Sequence, residues 1–226
     1  MTGVNPHRVI LPVVLVDAAL TRTLGIYGSS WLARSGLIVT CRHCIPDVPE
    51  GQRLAVTRKN SRGGYDAYLL TNVEPDSRGF DLVTARVDLD AEDQEWPLYP
   101  ELSQAGMAVW TYGYPLTDWR IEPDGTRTYQ TYPRYLQGYV TRRFLGDPPT
   151  HPKAEVDMHC PPGISGAPLV YGGADQVIGI IYGRTTVKVP DENPAPLYHF
   201  GLAFDREILG GLIGAATGNR PLSEVM

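Results

Sequence analysis

The stretch that decides the reading is CPPGISGAPLV, Cys160 to Val170. One serine, Ser165, stands between Gly163 and Gly166, prolines flank the group, and an apolar run follows. Prolines fix φ and remove amide donors, whereas the two glycines open backbone conformations that a Cβ resists. Such a segment is a committed turn, and its one reactive side chain is the hydroxyl of Ser165. A rigid loop ahead of a strand would account for the glycines and prolines. A nucleophile whose neighbouring amides form an oxyanion hole would account for the serine as well. The tetrapeptide leaves both open, so its context has to decide.

The chain has 226 residues, 42% hydrophobic and 20% charged, enough for a sizeable core in one domain or two tightly joined halves. A formal net charge of -5 gives no electrostatic footprint for nucleic acid, and no polybasic segment marks a membrane surface. Gly 24 and Pro 20 make the chain turn-rich, as an all-β protein is. Three cysteines cannot complete a disulfide framework, which points to a reducing, cytoplasmic setting. The apolar start RVILPVVLVDAAL is interrupted by Pro12 and Asp17 and follows a thin basic region, so it reads as a first strand rather than an export leader. No run reaches the roughly 18 apolar residues of a spanning helix.

Short β-rich runs separated by Gly, Pro, Asn and Asp recur along the chain. The pattern predicts strands at Val13–Asp17, Gly25–Ala33, Leu37–Thr40, Arg53–Thr57, Ala67–Val73 and Leu82–Val87. A second set falls at Met107–Tyr112, Leu136–Arg142, Leu169–Tyr171, Val177–Tyr182 and Phe200–Phe204. Asp205 is the expected N-cap of a terminal helix through REILGGLIGAA. The acidic stretch Asp88 to Leu102 reads as a surface linker between halves at 1–100 and 101–226. Thr117 to Tyr135 reads as a long loop with a turn at PDG.

A serine hydroxyl needs a base within reach and a group that orients the base. Of five histidines, His43 sits where the strand GLIVTC runs into a turn, and Asp81 heads the apolar run of FDLVTARV. Taken singly, a turn histidine and a strand-start aspartate need no function. Taken in order, His43, Asp81 and Ser165 each lie in a local pattern that resembles the trypsin/chymotrypsin fold of serine peptidases. The likeness is greatest to disulfide-free bacterial trypsin-like and HtrA-type domains. GSSWLARSGLIVTCRHCI resembles the segment around that family's histidine, FDLVTARV its aspartate strand, and WTYGYP its turn after the inter-barrel connection. DMHCPPGISGAPLVYGGADQVIGIIYG resembles the serine segment, and HFGLAFD the closing strand before a C-terminal helix.

The resemblance implies two six-stranded antiparallel β-barrels with the active site between them. His43 and Asp81 would come from the first barrel and Ser165 from the second. It implies a serine endopeptidase acting on a protein or peptide, with no cofactor, in which His43 is the base, Asp81 its orienter, Ser165 the nucleophile and the amides of Gly163 and Ser165 the oxyanion hole. His159, Cys160, Tyr182, Gly183 and His199 would stand about the substrate pocket, with no carboxylate to favour Arg or Lys. Ile164 replaces the aspartate that pairs with a freed amine in secreted trypsins, so activation by N-terminal cleavage is not expected. Cys44 lacks its usual partner near Tyr27 and is expected to be a free buried thiol. A zinc site from Cys41, Cys44, Cys160 and a histidine is the weaker alternative for the CRHC spacing. The competing functional class is a trypsin-fold binding or regulatory protein with latent or lost activity, the latent form waiting on an activating partner protein. An α/β-hydrolase esterase is disfavoured, because its order is serine, acid, histidine.

Overall fold

The computed structural model describes residues 5–89, 96–115, 118–121, 123, 125, 127–130, 132–144, 153–188 and 197–218. A single helical turn, α1 (Pro6–Val9), leads into β1 (Ile10–Asp17). β1 is buried on both faces: Leu11, Val13 and Leu15 join the main core, while Val14 and Val16 pack with Ala55 and Ile26 on the other side. This burial on both faces explains the continuous apolar run. Pro12 is tolerated because β1 pairs with β4 (Gln52–Lys59) only from Val13 onward.

The first half adds β2 (Thr23–Arg34), β3 (Leu37–Cys41), β5 (Tyr65–Leu69), β6 (Thr71–Pro75) and β7 (Leu82–Arg86). These strands form one antiparallel sheet in the order β5-β4-β1-β2-β3-β7-β6. The expected single strand Ala67–Val73 is thus two, broken at Leu70, whose amide donates to the Leu54 carbonyl. Because β5 and β6 are consecutive, one bent segment supplies both edges of the sheet. Seven strands therefore stand where six were expected, and the sheet is a half-barrel rather than a closed ring.

The second half contains β8 (Ala108–Gly113), β9 (Asp118–Ile121), β10 (Arg127–Gln130), β11 (Arg134–Phe144), β12 (Lys153–Val156), β13 (Pro168–Tyr171), β14 (Gln176–Lys188) and β15 (Leu197–Asp205). Six of them close into a barrel, β11-β12-β15-β14-β13-β8, so the double-barrel class holds. The remaining two, β9 and β10, pair as a hairpin inside what the sequence suggests is a loop, and Gly125 (φ 80°) lies in its turn. Asp205 caps α2 (Arg206–Thr217) by accepting from the Arg206 amide, and Gly218 ends the helix in the left-handed region.

The acidic linker also needs correction. Leu89 and Trp96 belong to the main core, and Tyr99 N donates to the Val177 carbonyl at 2.9 Å. Aromatic and aliphatic side chains thus pin both ends of the connection, while 90–95 lie outside the described residues. The same core takes in Val170, Val177, Ile180, Phe204 and Ile208 from the second half, so the halves share apolar packing. No helix among the described residues is long and apolar enough to cross a membrane.

Candidate active site

β3 ends at Cys41, and the single 3₁₀ turn Arg42–Cys44 follows it. In the β3–β7 register Cys41 lies opposite Leu82, so the next residue outward on one strand is Arg42 and on the other Asp81. The Arg42 amide donates to the Asp81 carbonyl (3.1 Å), and the His43 amide donates to Asp81 Oδ1 (3.0 Å). The ring completes the grip: His43 Nδ1 meets Asp81 Oδ2 at 2.5 Å. Asp81 therefore fixes both the backbone and the ring of His43. That assigns the Nδ1–H tautomer and leaves the lone pair on Nε2. The side chains are 47% and 38% exposed, so the pair faces solvent.

The His43 pKa is pushed up to about 9, by the adjacent Cys44 side chain first, with burial opposing, and then by Asp81. The short ring contact belongs to Asp81, whereas the Cys44 thiol donates to the Ser165 carbonyl at 3.5 Å. At the ring itself we therefore give Asp81 the larger part. The neighbouring Cys41 first, with burial opposing, and then His43 hold the Cys44 thiol down at about 6, while burial pushes those of Cys41 and Cys160 up.

Two successive tight turns shape the serine segment. Ile164 N donates to Pro161 O at 3.2 Å and Ala167 N to Ile164 O at 3.0 Å. The third residues of these turns are Gly163 (φ 93°) and Gly166 (φ 88°), and the second are Pro162 and Ser165. That is the type II pattern twice over, and it places Ser165 on a corner. The glycines three residues apart answer to this geometry. Gly166 has a further constraint, because a Cβ there would collide with the Ser29 carbonyl and Thr40 Oγ1.

Both barrels hold the double turn. Ser29 N donates to Ser165 O (2.8 Å), Ser29 Oγ to Gly163 O (2.8 Å), and Gly166 N to Ile181 O (2.7 Å). Ser29 Oγ also accepts from Tyr114 N at 2.8 Å, and Thr40 Oγ1 donates to Ser29 O at 2.7 Å. This docks the turn beside Cys44, the neighbour of His43. The Ser165 hydroxyl donates to the Tyr182 carbonyl at 3.4 Å rather than to His43. Among the described residues, no hydrogen bond occupies the amides of Gly163 or Ser165.

The trypsin-like peptidase domain model matches residues 28–180, most of the chain and all three of His43, Asp81 and Ser165. This chain belongs to the trypsin-like peptidase family. That membership supports serine endopeptidase activity. Solved structures give the same fold. They include the active form of the Rv3671c protease from M. tuberculosis (16% identity, TM-score 0.60, covering 92% of this chain and 80% of that one). Deg5 is similar at 17% identity and TM-score 0.60, over 90% of this chain and 86% of that one. A serine endoprotease from Yersinia pestis matches at 17% identity and TM-score 0.56, over 93% and 64%. No curated protein matches this peptidase-family chain.

The other pocket candidates are dispersed in role. His159 is exposed, and Cys160 is buried in the second barrel's own core, where a Cβ on Gly201 would strike its sulfur. The Tyr182 ring stacks on Phe204 with centroids 4.1 Å apart, so this residue reaches Ser165 with its carbonyl. Gly183 is half-buried beside it on β14. The His199 backbone pairs with Thr186, and its side chain lies outside the described residues. All three cysteines are free. Cys160 packs in a different core cluster from Cys41 and Cys44, which corrects the three-cysteine zinc grouping. Ile164 is fully buried, filling the second core in place of a charge. Sequence reasoning missed Ser29 and Thr40; their signal was small hydroxyls set among apolar residues, the Ser29–Ser30 pair ahead of WLA in β2 and Thr40 in LIVTC.

Proposed function

We propose that this peptidase cleaves peptide bonds through His43, Asp81 and Ser165, by way of an acyl-enzyme. The observation that carries the proposal is the double grip of Asp81 on His43, next to a serine turn latched onto the same barrel. As Ser165 attacks the carbonyl, His43 Nε2 takes its proton and then delivers it to the leaving amine. Asp81 keeps the ring in the tautomer that makes this transfer feasible and stabilises the imidazolium. The amides of Gly163 and Ser165 meet the developing oxyanion. A peptide lying between the halves is the substrate class, and the three free cysteines fit a cytoplasmic setting.

A second reading has its own observation. The Ser165 hydroxyl is turned to the Tyr182 carbonyl, as in a latent enzyme that a partner or substrate brings into line. A fluorophosphonate probe tests both. Labelling of the wild type and not of Ser165→Ala is expected. Labelling only in the presence of a partner supports latency, and no labelling under any condition overturns the hydrolytic mechanism.

A further inference from the structure

The three-cysteine grouping does not form, and the structure instead puts Cys41 under the pair that governs the base. Its thiol is fully buried and donates to the Ile181 carbonyl at 3.4 Å. The ligand-capable atoms of Cys41, His43 and Asp81 all lie within 4.8 Å of one another. We infer that these three side chains form a binding site for a thiophilic divalent cation, Zn²⁺ first among them, and that the ion reversibly silences His43. The silencing half rests on His43 being the base; the binding half does not.

The donor chemistry selects the ion. One thiolate, one imidazole and one carboxylate make a mixed S, N, O set that suits zinc and its borderline neighbours, whereas calcium and magnesium prefer oxygen alone. With bonds of about 2.3 Å to sulfur and about 2.1 Å to nitrogen or oxygen, a tetrahedral ion holds its ligand atoms about 3.4–3.6 Å apart. The cluster, whose ligand atoms lie within 4.8 Å of one another, therefore contracts by up to about 1 Å on binding, and the 2.5 Å His43–Asp81 contact opens by about 1 Å. An open cavity of about 390 Å³ lined by Arg42, His43, Asp81, Ile45 and Val83, among others, brings an ion to two of the three ligands, and the buried Cys41 lies behind them. Three protein ligands leave the fourth position to water on that side.

Binding and proton balance are simple. Cys41 releases its thiol proton to solvent, the neutral ring supplies a lone pair, and no electron is exchanged. The nitrogen against Asp81 is Nδ1. An ion on Nδ1 forces the ring proton onto Nε2, because a neutral imidazole keeps only one N–H. An Nε2 that carries a proton cannot accept one from Ser165. The ion thus disables the base by fixing the wrong tautomer, without blocking the serine.

The test uses Ser165→Ala protein, which cannot hydrolyse itself, titrated with Co²⁺ as a spectroscopic probe. A saturable thiolate-to-cobalt charge-transfer band of one equivalent is expected, competed away by Zn²⁺. Adding Cys41→Ala should weaken binding at least about tenfold. The converse protein, with Cys44 and Cys160 changed to alanine and Cys41 the single thiol, should keep the band. No band, or a band indifferent to Cys41→Ala, or its loss in the converse protein would overturn the site. In wild type, Zn²⁺ should suppress fluorophosphonate labelling and a chelator should restore it; labelling indifferent to saturating Zn²⁺ would overturn the silencing. Failure of all labelling would strike the hydrolytic mechanism instead, leaving the cobalt result to judge the site.

Discussion

The amide of Ser29, on a first-half strand, donates to the carbonyl of Ser165, on the corner of a second-half turn, at 2.8 Å. The Ser29 hydroxyl adds a second bond to Gly163 O. One buried residue of one barrel thereby sets the two residues whose amides would meet the oxyanion in the other.

Ser29→Ala removes that hydroxyl and leaves Gly163 O and Tyr114 N without their partner. A loss of about 1–3 kcal/mol in stability follows from one buried and one half-buried group left unsatisfied. Probe labelling should fall more than the stability does, since the oxyanion turn loses its anchor. Denaturant unfolding alongside labelling rates checks this, and unchanged labelling would contradict the anchoring role.

Gly166→Ala should be among the most damaging small substitutions. It combines a φ of 88° with a collision against Ser29 and Thr40, so strain and overpacking of about 1–3 kcal/mol each apply. A variant melting like wild type would show that the turn has another conformation available.

Asp81→Asn keeps the shape but no longer favours Nδ1–H on His43. A fall of about 10⁴-fold in kcat is the scale expected for a wrong tautomer, with stability little changed because both side chains are partly exposed. Full activity in the variant would remove Asp81 from the mechanism.

The pH profile carries a sign. His43 accepts a proton only when neutral, and its pKa is raised from 6.5 to about 9. In the presence of a chelator, kcat/KM should rise through neutral pH and level off only in the alkaline range. Asp81→Asn should shift the rising limb of its residual activity to lower pH. A plateau already reached at the ordinary imidazole value would contradict the raised base.

Asp205→Ala tests the seam behind the site. The buried carboxylate accepts from Arg206 N (2.6 Å), Arg143 Nε (2.8 Å) and Ser103 Oγ (3.1 Å). Removing it uncaps the helix and leaves the largely buried Arg143 only Glu207, at 3.8 Å, as a carboxylate partner, a cost of about 3 kcal/mol. Thermal unfolding measures it, and a shift of only a degree or two would show the charge to be solvated.

Much of the fold was legible in local sequence. Turn residues and alternating apolar runs marked most strands, and Asp205 and the glycines marked a capped helix, because those preferences are settled within a few neighbouring residues. The double turn around Ser165 was legible for the same reason: only glycine sits easily at its two positive-φ positions. The break at Leu70, the β9–β10 hairpin and the buried Trp96 were not legible, because each depends on what packs against it from elsewhere in the chain. Only the tertiary structure could decide that the β3–β7 register sets Asp81 against His43, that Ser29 and Thr40 hold the serine turn, and that Cys41 lies beneath the pair. Strand register and contacts between barrels join residues tens to more than a hundred positions apart, and no local preference encodes such distances.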